Sequence, residues 1–418
     1  MSGSMAEGIA ASIRYKFSAS GAMTSNALAV ATVDPGASAG QVLRRVSSDL
    51  DLSKGSFTSA EVRSDRQVFD MRHTARRVQG SISGELSPGT YQDFFQALTR
   101  GTWGTANTTL LPATYTSVSA DSATSSFAFT AADPVTTGGI RVGSVIRFTG
   151  LSPVTNNNIN YLVTAVGGTS NRTITVFPAP TTHVASVTFT CTLVGRRLFV
   201  PNSGHVSRKL LVEEYYEDID LSRIFNECRV TGTQIQLQPD QAATVSFPLM
   251  GRDMSVLTGA AAPFFATPTA ETTTSVVASV GGLIVAGGQV LGVMTGLNFS
   301  VDLSADAPSV NGQNFTPNVF LGKFALTGSL TAFFENATLL NYFLNETEFS
   351  ILGYFTSGSA ANADAVSFYM PRVKASGAQL PLQGDTGQVI TMPFTALRAV
   401  AAAGIEPTTL QIVDTAAV

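Results

Sequence analysis

Apolar and polar residues alternate with a period of two along much of the chain, and this pattern predicts strands. Gln234-Ile-Gln-Leu-Gln is one such run, and Val245-Ser-Phe-Pro248 follows it after a turn. Two short stretches break the pattern and predict helices. Tyr91, Phe94, Phe95 and Leu98 lie at helical spacing. Ser87-Pro88 precedes them as cap and first residue, and Gly101 follows as the C-terminal glycine. Leu340, Phe343 and Leu344 form a second stripe after Glu335-Asn336. Between residues 104 and 204 the pattern is strand and turn throughout, with strands expected at 126–130, 144–148, 161–166, 173–177 and 186–193.

Residues 272–301 hold no charge. A membrane helix is one reading of such a stretch. The other is a β-hairpin, with strands at Leu283–Ala286 and 289–293 and a Gly287-Gly288 turn. Its many glycines favour the hairpin, and an internal repeat favours it further. A shift of 248 residues places Gly40-Gln41-Val42-Leu43 on Gly288-Gln289-Val290-Leu291 and Gly80-Ser81-Ile82-Ser83 on Gly328-Ser329-Leu330-Thr331. In the first copy the region matching the uncharged stretch contains Arg44, Arg45, Asp49 and Asp51, which a lipid-facing span does not carry.

Both copies then enter their helix, and a second block of matches follows. Arg229-Val230 corresponds to Arg372-Val373, residues 234–240 to 379–385, and Val245-Ser-Phe-Pro248 to Ile390-Thr-Met-Pro393. From Gly80 to Arg229 is 149 residues, whereas from Gly328 to Arg372 is 44. The first copy therefore carries an insertion of about 100 residues, enough for a small domain. The expected organisation is an N-terminal arm at 1–39, a first module split between 40–104 and 205–260, and an inserted β-barrel or sandwich at 105–204. A second module at 261–400 and a C-terminal tail at 401–418 complete it. The fold class is mainly β: two tandem sandwich or half-barrel modules, each with one packed helix, plus the all-β insertion.

Composition narrows the function. Charged residues are 13% of the chain, about half the usual share, and hydrophobic residues 44%. Disorder is excluded by the hydrophobicity, and a disulfide scaffold by a cysteine count of 2. A net charge of -4 gives no field for sequence-independent nucleic-acid binding. So few charges suggest that much of the surface is covered by other protein. The N-terminus lacks the charged and apolar regions of a secretory signal.

The catalytic inventory is thin. His73, His183 and His205 lie in no metal-binding spacing, and Cys191 and Cys228 form no CxxC pair. Neither a Walker loop nor a G-x-S-x-G elbow occurs. No catalytic, cofactor or metal residue is assigned. Two charge clusters stand out. Arg63, Arg66, Arg72, His73, Arg76 and Arg77 are basic; Glu213, Glu214, Glu217, Asp218 and Asp220 are acidic. The acids could form a metal site or a glycosidase pair. Their alternation in Val212-Glu-Glu-Tyr-Tyr-Glu-Asp-Ile219 points instead to an exposed or interface strand. The two clusters could meet between subunits of a symmetric assembly.

The stretches GSISGELSPGTYQDFFQALTRGTW (80–103), VEEYYEDIDLSRIFNECRVTG (212–232), QIQLQPDQAATVSFPLMGRDM (234–254) and GKFALTGSLTAFFENATLLNYFL (322–344) resemble tail tube proteins of long-tailed bacteriophages. RVGSVIRFTGLSPVTNNNINYLVTAV (141–166) is similar to a small β module found in the same proteins. The resemblance implies modules whose strands join those of neighbours into a barrel around a channel. It implies a trimeric ring with pseudo-sixfold symmetry, and rings stacked into the tube of a non-contractile tail. Its implied partners are further copies of the chain, a tape measure protein in the lumen, and tail terminator and distal tail proteins at the ends. Genomic DNA would pass through without sequence-specific binding, and no membrane is involved. The setting would be the virion, assembled in a reducing bacterial cytoplasm with both thiols free. Segments from Ser53 to Gln67 and from Val301 to Thr316, with the arm and the tail, are candidates for ring-to-ring contacts. The insertion would project outward.

A β-rich adhesin or carbohydrate-binding protein is the alternative. The repeat separates the two readings, because adhesins seldom pair duplicated halves with a capped helix in each. An enzyme using Glu213 and Asp220 would need a cleft.

Overall fold

Strand after strand buries every second residue, as a sheet with one face on a core must. The computed structural model describes residues 6–18, 38–110, 114–239, 241–278, 282–290, 294–382 and 387–416. The first module contains β1 (Ala11–Ser18), β2 (Ser38–Leu43), β3 (Asp51–Thr58), β4 (Met71–Glu85), α1 (Gln92–Thr99), β5 (Lys209–Tyr216), β6 (Leu221–Val230), β7 (Gly232–Leu237), β8 (Thr244–Gly251) and β9 (Asp253–Thr258). The second contains β10 (Leu283–Ala286), β11 (Gln289–Val290), β12 (Met294–Asp302), β13 (Ala325–Phe333), α2 (Thr338–Leu344), β14 (Phe349–Thr356), β15 (Ala365–Ala375), β16 (Val389–Ala396) and β17 (Gln411–Asp414).

The strand registers repeat between modules. Gly80 faces Leu249 as Gly328 faces Phe394, and Ser81 faces Pro248 as Ser329 faces Pro393. Gln234 faces Ser246 as Gln379 faces Thr391. One correspondence shifts: Val230 faces Leu249, whereas Ala375, not Val373, faces Phe394. In each module an outer sheet packs over an inner one, ordered β2-β1-β5-β6-β9 in the first and β11-β10-β14-β15-β17 in the second. The inner sheets join. Their antiparallel order is β3-β4-β8-β7-β12-β13-β16-β15, and the β7–β12 pairing crosses from one module to the other. One core, from Ile13 to Ile412, fills the space behind this sheet.

The uncharged stretch contains the expected hairpin. Val285 faces Val290 and Ala286 faces Gln289, and both turn glycines take positive φ, 58° and 79°. That geometry suits the twist of the flanking strands and favours glycine. Among the described residues, no helix is long and apolar enough to cross a membrane.

The helices differ from expectation at their ends. Ser87-Pro88 opens a turn, and α1 begins four residues later, at Gln92. The left-handed residue after α1 is Arg100, not Gly101. Gly101 serves close packing: a Cβ there would lie 2.6 Å from the Phe199 carbonyl oxygen. In α2, Asn336 accepts the Thr338 N–H at 2.9 Å, so the chain does enter the helix there. The expected stripe is not the buried face: Leu340 is half-buried and Phe343 and Leu344 are exposed, and the residue α2 buries is Leu339, one position earlier.

The arm and the tail are partly built into the fold. Residues 11–18 form β1, with Ile13 and Tyr15 buried; residues 1–5 and 19–37 lie outside the described residues. The expected tail supplies β17, which pairs with β15 and with Arg196–Phe199. Asp414 accepts the Gly89 N–H at 2.8 Å and the Ala416 N–H at 3.0 Å, tying this strand to the turn before α1. Burial raises its carboxyl to about 6 despite those bonds. The folded chain thus holds the proton more tightly than the unfolded chain. The stability this group adds is complete below about pH 4 and lost as pH rises through about 6. Asp414→Asn should abolish that loss, changing the pH 4 to pH 7 difference in unfolding free energy by on the order of 3 kcal/mol. Urea titrations at the two pH values check it.

The insertion is an eight-stranded antiparallel sheet around its own core of Phe127, Phe148, Tyr161, Phe189 and their neighbours. Strands Thr108–Leu110 and Ser117–Asp121 add to those expected. The single strand expected at 186–193 is two, His183–Ser186 and Thr190–Val194. The insertion leaves the first module but docks on the second. Val142, Val145, Leu162 and Val194 pack against Leu283, Val285, Leu352, Tyr354 and Tyr369, on the outer sheet.

Candidate assembly surfaces

The joined inner sheet turns one face to the core and the other away from it. On the second face lie Ser81, Ser83, Ser246, Gln234, Gln236, Asn298, Ser300, Thr327, Ser329, Thr391 and Thr395, none of them buried. Strands β7, β8, β12, β13 and β16 contain one ionisable residue among them, Asp302. Across these five strands the face is therefore a field of hydroxyls and amides with almost no charge; charge returns at its flanks, where Arg77 and Glu85 alternate with Ser81 and Ser83 on β4 and Lys374 lies opposite Thr395 on β15. Such groups hydrogen-bond water well and hold no counterion layer.

Strands β3 and β4 run past the end of this sheet as a long hairpin. From Ser53 to Gln67 and on to Met71 it is largely exposed, including the apolar Phe57, Val62, Val68, Phe69 and Met71. Exposed apolar side chains so grouped mark a contact surface. The basic cluster sits on the same hairpin but is partly matched by local acids. Arg63 pairs with Asp65 at 3.3 Å and lies over the Phe69 ring, and Arg72 pairs with Asp70 at 3.3 Å. Arg66 is exposed at the tip in a left-handed conformation, and His73 is exposed on β4. Arg76 and Arg77, nearer the body, bind within the chain. Arg76 reaches Asp253 at 2.9 Å and Arg77 reaches Ser309 at 3.4 Å.

The corresponding segment of the second module does not project. Val301 is buried in β12 and Thr316 is fully buried. The loop folds back onto the first module. The Arg76 N–H donates to the Asn314 carbonyl at 2.7 Å, Arg252 donates to that of Thr316 at 3.0 Å, and the Arg252 guanidinium lies over Phe315. Between Val301 and Thr316 the loop is thus held to the first module near its end, while residues 308–314 stay exposed. Arginine donors and a buried Phe315 hold the loop down. Among the described residues, the β3–β4 hairpin has no counterpart of this kind in the second module.

The acidic cluster divides in the same way. Glu213 was expected on an exposed strand but is fully buried. Residues 263–265 cover it: its carboxylate accepts the N–H of Phe264 at 2.6 Å and of Phe265 at 3.0 Å, and the hydroxyl of Ser222. Phe264 and Phe265 pack beside it on Leu211 and Ile224. Glu214 is also buried, bonded to Ser48 at 2.7 Å and paired with Arg223 at 3.4 Å; burial raises its carboxyl despite those partners. Glu217, Asp218 and Asp220 form the β5–β6 turn. Glu217 and Asp220 are exposed; Asp218 accepts the Glu7 N–H, and Asp220 accepts the Tyr215 hydroxyl at 3.2 Å. Glu213 and Asp220 therefore share no cleft, as a glycosidase pair would require.

Glu213 fastens the connector between modules to the first outer sheet. Glu213→Ala leaves two buried N–H groups unsatisfied and should cost about 3 kcal/mol. Calorimetry should show a lowered melting temperature. An unchanged one would mean that the connector is held otherwise.

Sequence reasoning missed a buried network. Glu227 pairs with Lys209 at 2.7 Å and with Arg252 at 3.1 Å, and Arg252 also holds the second-module loop. Its acid and two bases lie far apart in sequence, and no local spacing signals it. Cys191 and Cys228 are free thiols in separate cores, and burial pushes both up in pKa.

A sheet joined across modules, a neutral polar face and a projecting apolar hairpin define a β-structural protein built for assembly. Comparison with known families agrees. The family model for phage tail tube proteins matches residues 10–396. The chain belongs to that family: it is a structural component of the virion that assembles into a tail tube. No curated protein matches it.

Proposed function

We propose that three copies close into a ring of six modules, that rings stack into the tail tube, and that the neutral face of the inner sheet lines its lumen. The observation that carries this reading is the β7–β12 pairing, which already joins two modules edge to edge within one chain. A lumen of hydroxyls and amides would let DNA pass without the counterion exchange that charged contacts impose. The insertion, docked on the outer sheet, would then lie outside. The tape measure protein would occupy the lumen during assembly, and terminator and distal tail proteins would close the ends. Assembly in the host cytoplasm suits two free buried thiols.

The free hairpin supplies the ring-to-ring contact in this reading. Arg63, Arg66 and Arg72 are exposed cations on it, beside Lys54, and Glu217, Asp218 and Asp220 are the candidate acids opposite. Replacing Glu217 and Asp218 by Lys should leave the monomer folded and suppress stacking. Normal tubes from that variant would remove the acidic turn from the interface. Sedimentation of concentrated protein, followed by negative-stain microscopy, tests the whole reading. Rings and hollow tubes are expected, and monomers under all conditions would refute it.

A further inference from the structure

We propose that the ring closes by antiparallel pairing of residues 377–382 of one copy with residues 48–53 of the next, in the register that β7 and β12 use within the chain. The inference rests on the ring reading above and names the edges that meet.

The repeat supplies the geometry. Gln379 faces Thr391 as Gln234 faces Ser246, so residues 377–382 stand where β7 stands in the first module. Asp51 faces Gln79 as Ser300 faces Thr327, so residues 48–53 stand where β12 stands in the second. Within the chain these positions meet, with Gln234 opposite Ser300 and Leu237 opposite Leu297. Their counterparts have no second strand beside them; on the receiving edge Arg223 donates to the Leu50 carbonyl at 3.1 Å and pairs with Asp51 at 2.6 Å, and an incoming strand takes the place of that side chain on the Leu50 carbonyl. Among the described residues, β3 pairs only with β4, and residues 377–382 have only β16 beside them.

Exposure marks the missing neighbour. Leu237 is 2% exposed under the second module, whereas its counterpart Leu382 is 94% exposed. Phe95 is buried and packs on Phe368 of the second module, with ring centroids 6.0 Å apart. At the offset that places Gly80 on Gly328, its counterpart is Phe343 on α2, which is exposed. The receiving edge has a matching recess. A cleft of about 580 Å³ runs beside residues 46–51, between Ile13, Leu50, Glu214 and Arg223. Among the described residues, nothing covers Leu382 or Phe343 in the same way.

The backbone is oriented for the pairing. Gln379 exchanges both N–H···O bonds with Thr391, at 2.8 and 2.9 Å, so it turns its polar groups toward β16. By the alternation of an antiparallel ladder, Pro381 also faces inward. Its missing N–H is therefore lost from the β16 side. Ala378, Leu380 and Leu382 present their N–H and C=O groups to the free edge. The register then places Gln379 opposite Asp51 as a non-hydrogen-bonded pair, whose Cα atoms approach to about 4.5 Å. That separation suits a disulfide.

The test is a chain carrying both Gln379→Cys and Asp51→Cys, assembled and then oxidised. Non-reducing gels should show covalent dimers and trimers, at least tenfold more than from Gln379→Cys with Ser53→Cys, which is two residues out of register. Equal yields from both pairs would overturn the register. Rings or tubes by microscopy with neither pair linked would overturn the edge pairing and leave the tube reading standing. Absence of any assembly from the parent chain would remove both. Leu382→Asp gives a second measure: it should keep the parent's melting temperature, because the residue is exposed in the free chain, yet yield no rings. Rings at parental yield would contradict the proposal.

Discussion

Chains in which residues 57–70 are replaced by a two-residue Asn-Gly turn should fold, close into rings and fail to stack. The deleted segment adds little to the folded monomer, since Val62 is 101% and Val68 72% exposed. Its removal should therefore leave the melting temperature within a few degrees of the parent. Stacking is another matter. Burying even two of the exposed apolar side chains against a neighbouring ring stabilises by about 3 kcal/mol. Losing that raises the concentration needed for stacking by about a hundredfold. The corresponding loop of the second module is held by Arg76 and Arg252, so it is not free to compensate. Sedimentation across a concentration series reads the effect, and long tubes from the deleted chain would show that stacking depends on other surfaces.

The second large effect lies in the core. Phe247 is fully buried, and its ring centroid lies within 5.6 Å of those of Tyr91, Phe94 and Phe95. It is the residue through which α1 is held against β8. Phe247→Ala removes a large side chain from a site that cannot collapse, since a helix and a sheet hold its walls apart. A loss of about 4 kcal/mol is expected. Met392 has the corresponding place in β16 but faces the more exposed α2, where Leu339 is the buried residue. Met392→Ala should cost less, about 2 kcal/mol. Calorimetry on the two variants checks the order, and a larger loss at Met392 would contradict it.

The repeat was legible in the sequence because its signal is local. Gly80 and Gly328 both sit where the partner strand passes close, and the strands on either side keep strict alternation. The stripe of α1 was legible for the same reason, although its first residue and its left-handed terminus were not. What escaped was set by distant chain. Nothing near Glu213 announces that Phe264 and Phe265 will cover it, so a buried carboxylate reads as an exposed one. The fate of the second-module loop depends on Arg76 and Arg252, both in the other module. Docking of the insertion did leave a trace. Ile351-Leu-Gly-Tyr-Phe355 is apolar without alternation, the mark of a strand buried on both faces. The insertion covers its outer side.

The central claim is that two modules in each chain make three chains a ring, with the hydroxyl- and amide-rich face of the inner sheet toward the lumen. An electron cryomicroscopy reconstruction of assembled tubes tests it most directly. The account predicts three chains per ring, six similar modules around the channel, three insertions outside, and Gln234, Ser246 and Thr327 on the channel wall. A ring of any other chain number, or a channel lined by the outer sheets, would contradict it.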